Sequence, residues 1–323
     1  MSQPKCTIYG GQAVIEGVMF GGQTVHVTAV RRKNNEIEFF EAPKREQNWV
    51  KALKKIPFVR GLVGIVEASA KGSQHLTFSA EAYAEDESGE ETSTTAKKVA
   101  KDEKKSIFSN FSTILSVAVV GVLSFIFGKL IFTLVPAFVE DFLFRNAFEN
   151  QVLHNFIEGI IKIVLLLFYL FAISQTPLIK RLFQYHGAEH KVISCYEAGE
   201  ELTVRNVQKY STLHYRCGSS FMVLTVIIGV VIYSFIGYDT LWERIVQRVA
   251  LLPVVIGVSY EVLRFTNSVR EIPLLRYLGY PGLWLQHLTT KQPDDRQVEV
   301  AIASFKRMLE LDGRNASDPG LVR

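Results

Sequence analysis

The sequence predicts a mainly α-helical polytopic membrane protein, with about four transmembrane helices and a small N-terminal cytoplasmic region that contains a β-hairpin. Of its 323 residues, 48% are hydrophobic, and the apolar residues concentrate in four blocks. Most of these blocks are long enough to cross a hydrocarbon core of about 30 Å. The blocks are Phe111–Val139, Phe156–Ser174, Ser219–Tyr238 and the shorter Val249–Phe265, for which a buried or interfacial helix is the alternative.

The distribution of lysine and arginine predicts the orientation of these spans. Five lysines between Lys97 and Lys105 precede the first block, and the loop 175–218 between the second and third blocks is also basic, whereas the connection between the first two blocks carries only Arg145. By the positive-inside rule, both termini and the loop 175–218 are expected in the cytoplasm. The N-terminus lacks the pattern of a signal peptide. The three cysteines are expected to be free thiols, because disulfides are rare in the cytoplasm.

The remaining segments complete the predicted domain organisation. Residues 1–84 are expected to hold a β-hairpin across Lys33–Asn35 and an amphipathic helix, and the glycine-rich stretch Gly10–Met19 indicates a tight turn or a close backbone approach. Residues 85–106 are typical of a flexible charged linker. Residues 107–265 are assigned to the four-helix membrane domain. The cytoplasmic tail 266–323 is expected to form an amphipathic helix that is capped by Asp294 or Asp295, ends at Gly313 and buries Val298, Ile302, Phe305 and Leu309.

The most distinctive motif is the stretch HGAEH in the loop 175–218. A helix that begins after Pro177 and continues towards Gly199 places His186, Glu189 and His190 on one face, because positions three and four apart are neighbours on a helix. The order His-x-x-Glu-His also occurs in inverzincin peptidases. Two imidazoles one turn apart can bind zinc, and the carboxylate between them can act as a general base.

A second pair of candidate ligands, His214 and Cys217, lies in the same loop at a spacing that suits zinc. Four nitrogen and sulfur ligands would form a closed structural site, whereas three ligands would leave a coordination position free for catalysis. The spacing of the residues does not decide between these alternatives. A polar, hydrogen-bonded loop without metal is the further alternative. Four other polar residues are candidates because they lie in apolar runs or extend the HGAEH face: Gln12, Glu16, Glu197 and Glu261. For Glu261, an ion pair with Arg264 or Arg270 is the alternative to metal ligation.

Six stretches of the sequence together resemble the DUF1385 family over nearly the whole chain outside the linker. They are GGQAVIEGVM (10–19), RGLVGIVEA (60–68), HGAEHKVISCYEAGEELTVRNV (186–207), HYRCGSSF (214–221), YEVLR (260–264) and PGLWLQHLTTKQPDDRQVEVAI (281–302). The resemblance implies a polytopic bacterial membrane protein of a family described as metal-dependent enzymes. It also implies that His186, Glu189, His190, His214 and Cys217 form the candidate metal cluster, with Gln12, Glu16 and Glu261 as further polar positions.

Two functions are therefore expected as alternatives. The first is a zinc-dependent hydrolase at the cytoplasmic face of a bacterial membrane, with Glu189 as the catalytic base and a lipid head group or a membrane peptide as substrate. The second is a non-catalytic scaffold or biogenesis factor in which the metal is structural and the basic face meets anionic lipid, a ribosome or a translocon. Sequence-specific binding of nucleic acid is not expected, and the oligomeric state is left open.

Overall fold

The structure is a computed structural model, and it describes residues 9–44, 48–88, 128, 131–132, 134–269 and 272–313. Within these ranges it is mostly helical, with one antiparallel sheet near the N-terminus. The chain forms two compact units. The first unit comprises Met1–Ala84, Leu167–Ile228 and Leu252–Arg323, and the second comprises Glu85–Leu166 and Gly229–Leu251.

The N-terminal sheet has four antiparallel strands in sequential order. They are β1 (Gly10–Val14), β2 (Gly17–Gly21), β3 (Val25–Arg31) and β4 (Ile37–Pro43). The hairpin expected across Lys33–Asn35 corresponds to β3 and β4, whose turn places Asn35 in the left-handed region at φ 69°. The glycine-rich stretch Gly10–Met19 forms β1 and most of β2 rather than a turn alone, so the sheet is twice the size of a hairpin.

The helices follow the sheet along the chain. They are α1 (Asn48–Leu53), α2 (Val59–Ser88), α3 (134–144), α4 (Gln151–Ser174), α5 (Pro177–Glu197), α6 (Val204–Gln208), α7 (Ser220–Tyr233), α8 (Leu241–Ala250), α9 (Leu252–Ser268), α10 (Tyr280–Thr289) and α11 (Asp295–Leu311), with a 3-10 helix at Leu275–Gly279. Helix α5 carries the HGAEH motif, and it ends just before Gly199, whose φ of 73° suits glycine.

The core of the first unit lies where α11 and α5 pack against the sheet. The Phe305 ring of α11 is fully buried and makes edge-to-face contacts with Phe20, Tyr9 and Tyr196, at centroid distances of 4.9, 5.3 and 5.0 Å. A capping box between Asp294 and Gln297 fixes the start of α11. The first unit is therefore built around a contact between the two ends of the chain, and this contact holds α5 against β1.

Ser304 joins α11 to the sheet through its buried hydroxyl, which lies 2.9 Å from the carbonyl oxygen of Val18 and 3.0 Å from that of Val27. We expect Ser304→Ala to lower the free energy of unfolding by about 1 kcal/mol, because the hydroxyl's donated hydrogen bond is lost inside the core. Denaturant unfolding of the purified chain would measure this loss. Arg296→Ala, at an exposed position of α11, is the control and should change the value by less than about 0.5 kcal/mol. Equal values for the two variants would contradict the assigned hydrogen bond.

The second unit contains a buried network of charges. Arg244 and Arg248 of α8 are 1% and 3% exposed, and they face Glu140 and Glu158, which are 0% and 2% exposed. The Arg244 Nη1 donates to Glu140 Oε2 at 2.6 Å, and the Arg248 Nε donates to Glu158 Oε1 at 2.8 Å. Asn155 Oδ1 accepts from Arg248 Nη2 at 2.6 Å. The two carboxylates thus balance the two guanidinium groups, which would be costly to bury unpaired.

The prediction of about four transmembrane helices is wrong. Within the described ranges, α4 alone is long and apolar enough to cross a membrane by length and composition. The number of candidate spans rises to two if α8 and α9 count as one broken span. The third block yields α7, whose 14 residues extend only about 21 Å at about 1.5 Å per residue, short of a hydrocarbon core of about 30 Å. Most of the first block, Phe111–Val139, and most of the linker 85–106 lie outside the described residues.

Candidate metal centre

The HGAEH motif meets the segment before α7 at one point in the first unit. Ligand atoms of His186, His190 and Cys217 all lie within 4.8 Å of one another, and we call these three residues the His–Cys cluster. His190 and Cys217 are buried and His186 is half-buried. The two histidines are neighbours because they lie one turn apart on α5, and their ring centroids are 4.5 Å apart.

Main-chain carbonyl groups fix the protonation of both imidazoles. The Nδ1 of His186 lies 2.8 Å from the carbonyl oxygen of Thr289, and the Nδ1 of His190 lies 2.5 Å from that of Thr212. A carbonyl oxygen can only accept, so each Nδ1 carries a proton, and in the neutral form of each ring Nε2 holds the lone pair. Burial lowers the pKa of His190, so its ring is neutral. This is the arrangement in which histidines bind metals, with the second ring nitrogen held by a protein acceptor.

The thiol of Cys217 is placed as the third donor. Its Sγ lies 3.2 Å from His186 Nε2, and it also forms a side-chain hydrogen bond with His190. The Ser219 backbone N–H donates to the same sulfur at 3.4 Å. Two imidazole nitrogens and a cysteine sulfur form a donor set of borderline softness that suits zinc, and three protein ligands leave a coordination position open.

Glu189 lies beside the cluster and contacts β1. Its carboxylate accepts a hydrogen bond from the Gly11 backbone N–H, and a Cβ on Gly11 would lie 3.0 Å from its Cδ. Burial raises the pKa of Glu189, although the neighbouring His186 and His214 and the Gly11 N–H each oppose the rise. Gly11 is therefore the close backbone approach that the sequence indicated.

The His–Cys cluster and Glu189 line a cavity of about 310 Å³, which we call the His–Cys cavity. Residues Tyr9–Ala13 of the β1 region form one wall, helix α5 forms another, and residues 214–219 close the third side. The volume is in the range of small-molecule sites. The open position of the cluster therefore has space beside it for a substrate group.

The other predicted site residues divide between this cavity and separate ion pairs. His214 lines the cavity 5.5 Å from His190 between ring centroids, but it is outside the three-residue cluster: its Nε2 lies 3.8 Å from Glu197 Oε2. Glu197 also forms an ion pair with Arg216. Gln12 lines the cavity, with its amide against Gly72 of α2.

Glu16 and Glu261 are held by arginines rather than by the cluster. The Arg181 Nε and Nη2 each lie 2.5 Å from a Glu16 oxygen, and Tyr185 donates to Glu16 at 3.3 Å. Glu261 pairs with Arg60, whose Nε lies 2.6 Å from Glu261 Oε1. The expected alternative was an ion pair with Arg264 or Arg270; Arg264 forms no such pair, and Arg270 lies outside the described residues. The Glu261 Oε1 also accepts from the Phe58 backbone N–H. Both carboxylates therefore join elements of the first unit.

Sequence reasoning missed the residues that hold the ligands in place. The carbonyl groups of Thr212 and Thr289 have no signature in the sequence, because any residue supplies a carbonyl. Gln286 is the exception: this buried amide accepts from the His214 N–H and donates to the His214 carbonyl, both at 2.8 Å. A glutamine inside the apolar stretch GLWLQHL was the available signal.

The raised pKa of Glu189 predicts how stability changes with pH. A buried carboxyl group that keeps its proton in the folded state, while the unfolded chain loses it, makes stability fall as pH rises above about 4.5 and until the folded-state pKa is passed. In chelator-treated protein, Glu189→Gln is therefore expected to be more stable than wild type at neutral pH, with the difference vanishing at or below about pH 4.5. Melting temperatures across this range would measure it. Glu310→Gln, at an exposed position of α11, is the control, and an unchanged pH slope in Glu189→Gln would contradict the assignment.

Comparisons with known proteins agree with the resemblance of the sequence motifs to the DUF1385 family. The family model described as "Protein of unknown function (DUF1385)" matches residues 56–311. The chain is 55% identical over 304 residues to a protein of Bacillus subtilis (strain 168) named "Uncharacterized protein YqhQ", covering 94% of this chain and 93% of that protein. No solved structure matches significantly. Because the family model covers most of the chain and the relative covers nearly all of it, this protein belongs to the DUF1385 family.

Proposed function

We propose that the protein is a zinc-dependent hydrolase that acts at the cytoplasmic face of a bacterial membrane. The observation that carries the proposal is the His–Cys cluster, in which two imidazoles with Nδ1 held by carbonyl groups and one thiol place their donor atoms within 4.8 Å of one another beside a cavity. A bound zinc ion would supply Lewis-acid activation of water and of a substrate carbonyl or phosphoryl group.

Glu189 is the proposed general base in this function. It lines the same cavity as the three ligands, and the Gly11 N–H holds its carboxylate in place. Burial raises its pKa towards the working pH, which is the condition under which a carboxyl group can both take and return a proton. Glu189 would accept the proton of the attacking water and deliver it to the leaving group.

The membrane location is supported by α4. This 24-residue helix is apolar, and only 17% of its most apolar window is buried within the structure. Large side chains such as Phe156, Val164 and Phe168 are exposed at 55%, 60% and 67%, and water is a poor solvent for such a surface. If the basic loop 175–218 that follows α4 lies on the cytoplasmic side, substrates at this interface would be a lipid head group or a membrane peptide.

A structural role of the metal is the second candidate. Residues 209–219 contain no regular secondary structure, and Cys217 is the point at which this segment meets the two histidines of α5. A metal there would fasten the segment to the helix. The protein would then be a scaffold for a partner at the membrane, such as anionic lipid, another membrane protein, a ribosome or a translocon.

A paired activity and metal measurement tests the proposal. The full chain, purified in detergent without chelators, would be assayed against panels of phospholipids and membrane-derived peptides, beside Glu189→Gln and an exposed control, Glu310→Gln. We expect chelator-sensitive turnover in wild type and the control, and a loss of about 100-fold or more in Glu189→Gln, which should keep its metal. Turnover that is insensitive to chelators, or full activity in Glu189→Gln, would overturn the hydrolase. Bound metal without Glu189-dependent turnover, together with unfolding by chelators, would establish the structural role instead.

A further inference from the structure

A second cavity, of about 420 Å³, lies in the first unit where β3, α2 and α9 come together, and it shares no lining residue with the His–Cys cavity. We propose that this basic cavity binds a phosphate group, carried either by a soluble phosphoester or by an anionic lipid head group. The inference goes beyond the proposed hydrolase and does not depend on the metal. Its cationic lining residues are Lys44, Lys54, Arg60, Lys71 and Arg264.

The charges of the cavity do not balance. Five cations line it against one carboxylate, Glu67, and Glu261 adds a second carboxylate through its ion pair with Arg60. Five minus two leaves a net charge of +3 in a volume that would hold a small anion. Concave walls of low dielectric concentrate such a field and raise the local concentration of anions.

Two of the cations are not ion-paired with the carboxylates, although the charge of Arg264 acts on Glu261. Glu67 pairs with Lys54 and Lys71, so both lysines are partly neutralised. Lys44 and Arg264 form no ion pair within the described ranges; the Lys44 Nζ has only the Gly22 carbonyl oxygen, at a long 3.5 Å. An ammonium group and a guanidinium fork facing one cavity match the acceptor oxygens of a phosphate.

His26 supplies an independent indication of a ligand. It lines the cavity, and both of its ring nitrogens are buried without a hydrogen-bond partner. Burial, with Lys71 and Lys44 nearby, lowers its pKa to about 4, so the ring is neutral and one nitrogen carries a proton. A buried donor without an acceptor is uncommon in folded proteins, so His26 is an unsatisfied polar group in the wall of the cavity.

The cavity exists because two sequence motifs that the metal centre does not use come together. RGLVGIVEA lies on α2 and YEVLR lies on α9. A Cβ on Gly61 would lie 2.6 Å from the Tyr260 Cβ, so the two helices can pack this closely only with glycine there. The first motif contributes Arg60 and Glu67 to the cavity, and the second contributes Tyr260 and Arg264.

Calorimetric titration of the detergent-purified full chain in phosphate-free buffer tests the proposal. The probes are inorganic phosphate and dihexanoyl phosphatidic acid, with dihexanoyl phosphatidylcholine as the zwitterionic comparison. The variants are Lys44→Gln and Arg264→Gln, and the control is Lys180→Gln, an exposed lysine of α5 outside the cavity. We expect saturable binding that each cavity variant weakens about tenfold and the control leaves unchanged.

The two probes distinguish the sources of the phosphate. Tighter binding of phosphatidic acid than of inorganic phosphate would identify a lipid head group, whereas equal binding would identify a soluble phosphoester. Because Lys44→Gln relieves repulsion among the cations, it should melt at or above the wild-type temperature, so weakened binding by this variant is not unfolding. The proposal would be overturned if neither probe showed saturable binding, or if the cavity variants bound the probes as tightly as wild type does. Cys217→Ser should bind phosphate as wild type does, which separates this result from the fate of the metal centre.

Discussion

Replacement of Cys217 by serine is expected to remove bound zinc from the purified protein, from about one ion per chain to less than about 0.1. A serine hydroxyl is a poor zinc ligand, and the two remaining imidazoles on α5 do not form a stable site alone. Glu189→Gln should keep the metal, because Glu189 is not part of the His–Cys cluster. Elemental analysis of protein purified without chelators would measure the metal content of each variant.

The second free thiol of the described part of the chain, Cys195, provides a matched control. Cys195 lies on α5, the helix that carries His186 and His190, and its sulfur is 3.9 Å from the Glu200 carbonyl oxygen. Burial raises the pKa of Cys195 to about 11, so it stays a thiol. Cys195→Ser should therefore retain zinc. A wild-type protein without metal, or equal metal contents in the two serine variants, would contradict the assignment of Cys217 as a ligand.

Gly187→Ala is expected to destabilise the protein by about 3 kcal/mol, although alanine is the better helix former by about 1 kcal/mol. Gly187 lies on the face of α5 that packs against the main chain after α10. A Cβ there would lie 2.1 Å from the Lys291 carbonyl oxygen and 3.1 Å from Thr212 Cγ2. The first contact is with backbone, which cannot rotate away as a side chain can. The Lys291 N–H also donates to the Phe183 carbonyl at 2.8 Å, and the clash would break this hydrogen bond.

Denaturant unfolding would measure the cost, with Gly10→Ala as the matched control. No atom lies within 4 Å of a Cβ placed on Gly10, so that variant should change stability by less than about 0.5 kcal/mol. Gly187→Ala should also weaken metal binding, since moving α5 away from residue 291 separates His186 from the Thr289 carbonyl that holds its ring. A Gly187→Ala protein as stable as wild type would show that α5 does not pack in this way.

Helical elements with clear boundary signals were predictable from the sequence. Helix α11 is capped by Asp294, one of the two acidic residues expected there, and it buries Val298, Ile302, Phe305 and Leu309. Its signals are local, because a capping side chain bonds the backbone three residues later and the apolar spacing follows the helix period. The spacing of His186 and His190 is equally local, and it was sufficient to bring their rings together.

The elements that sequence reasoning missed depend on contacts between distant residues. Strand β2 reads GVMFG, and its first four residues are all buried, so it lacks the alternation of a half-exposed strand. The transmembrane prediction failed because hydropathy measures the length of an apolar run and not where a helix ends. The separation of His214 from the cluster likewise depends on a distant residue. Gln286, 72 positions later in the sequence, holds the main-chain N–H and carbonyl groups of His214.

The packing of α11 on the sheet also determines the order of events during synthesis. Ser304 and Val18 are 286 positions apart, so the sheet leaves the ribosome long before the helix that covers it exists. At about 5–20 residues per second, that interval is roughly 15–60 s. During this time α11 cannot yet pack against the sheet. The apolar side chains that are fully buried in the finished protein therefore lack this contact; they include Val18, Phe20 and Val27. We therefore expect a holding chaperone to bind the nascent chain, and ribosome profiling of chaperone-bound nascent chains should find it engaged until α11 emerges.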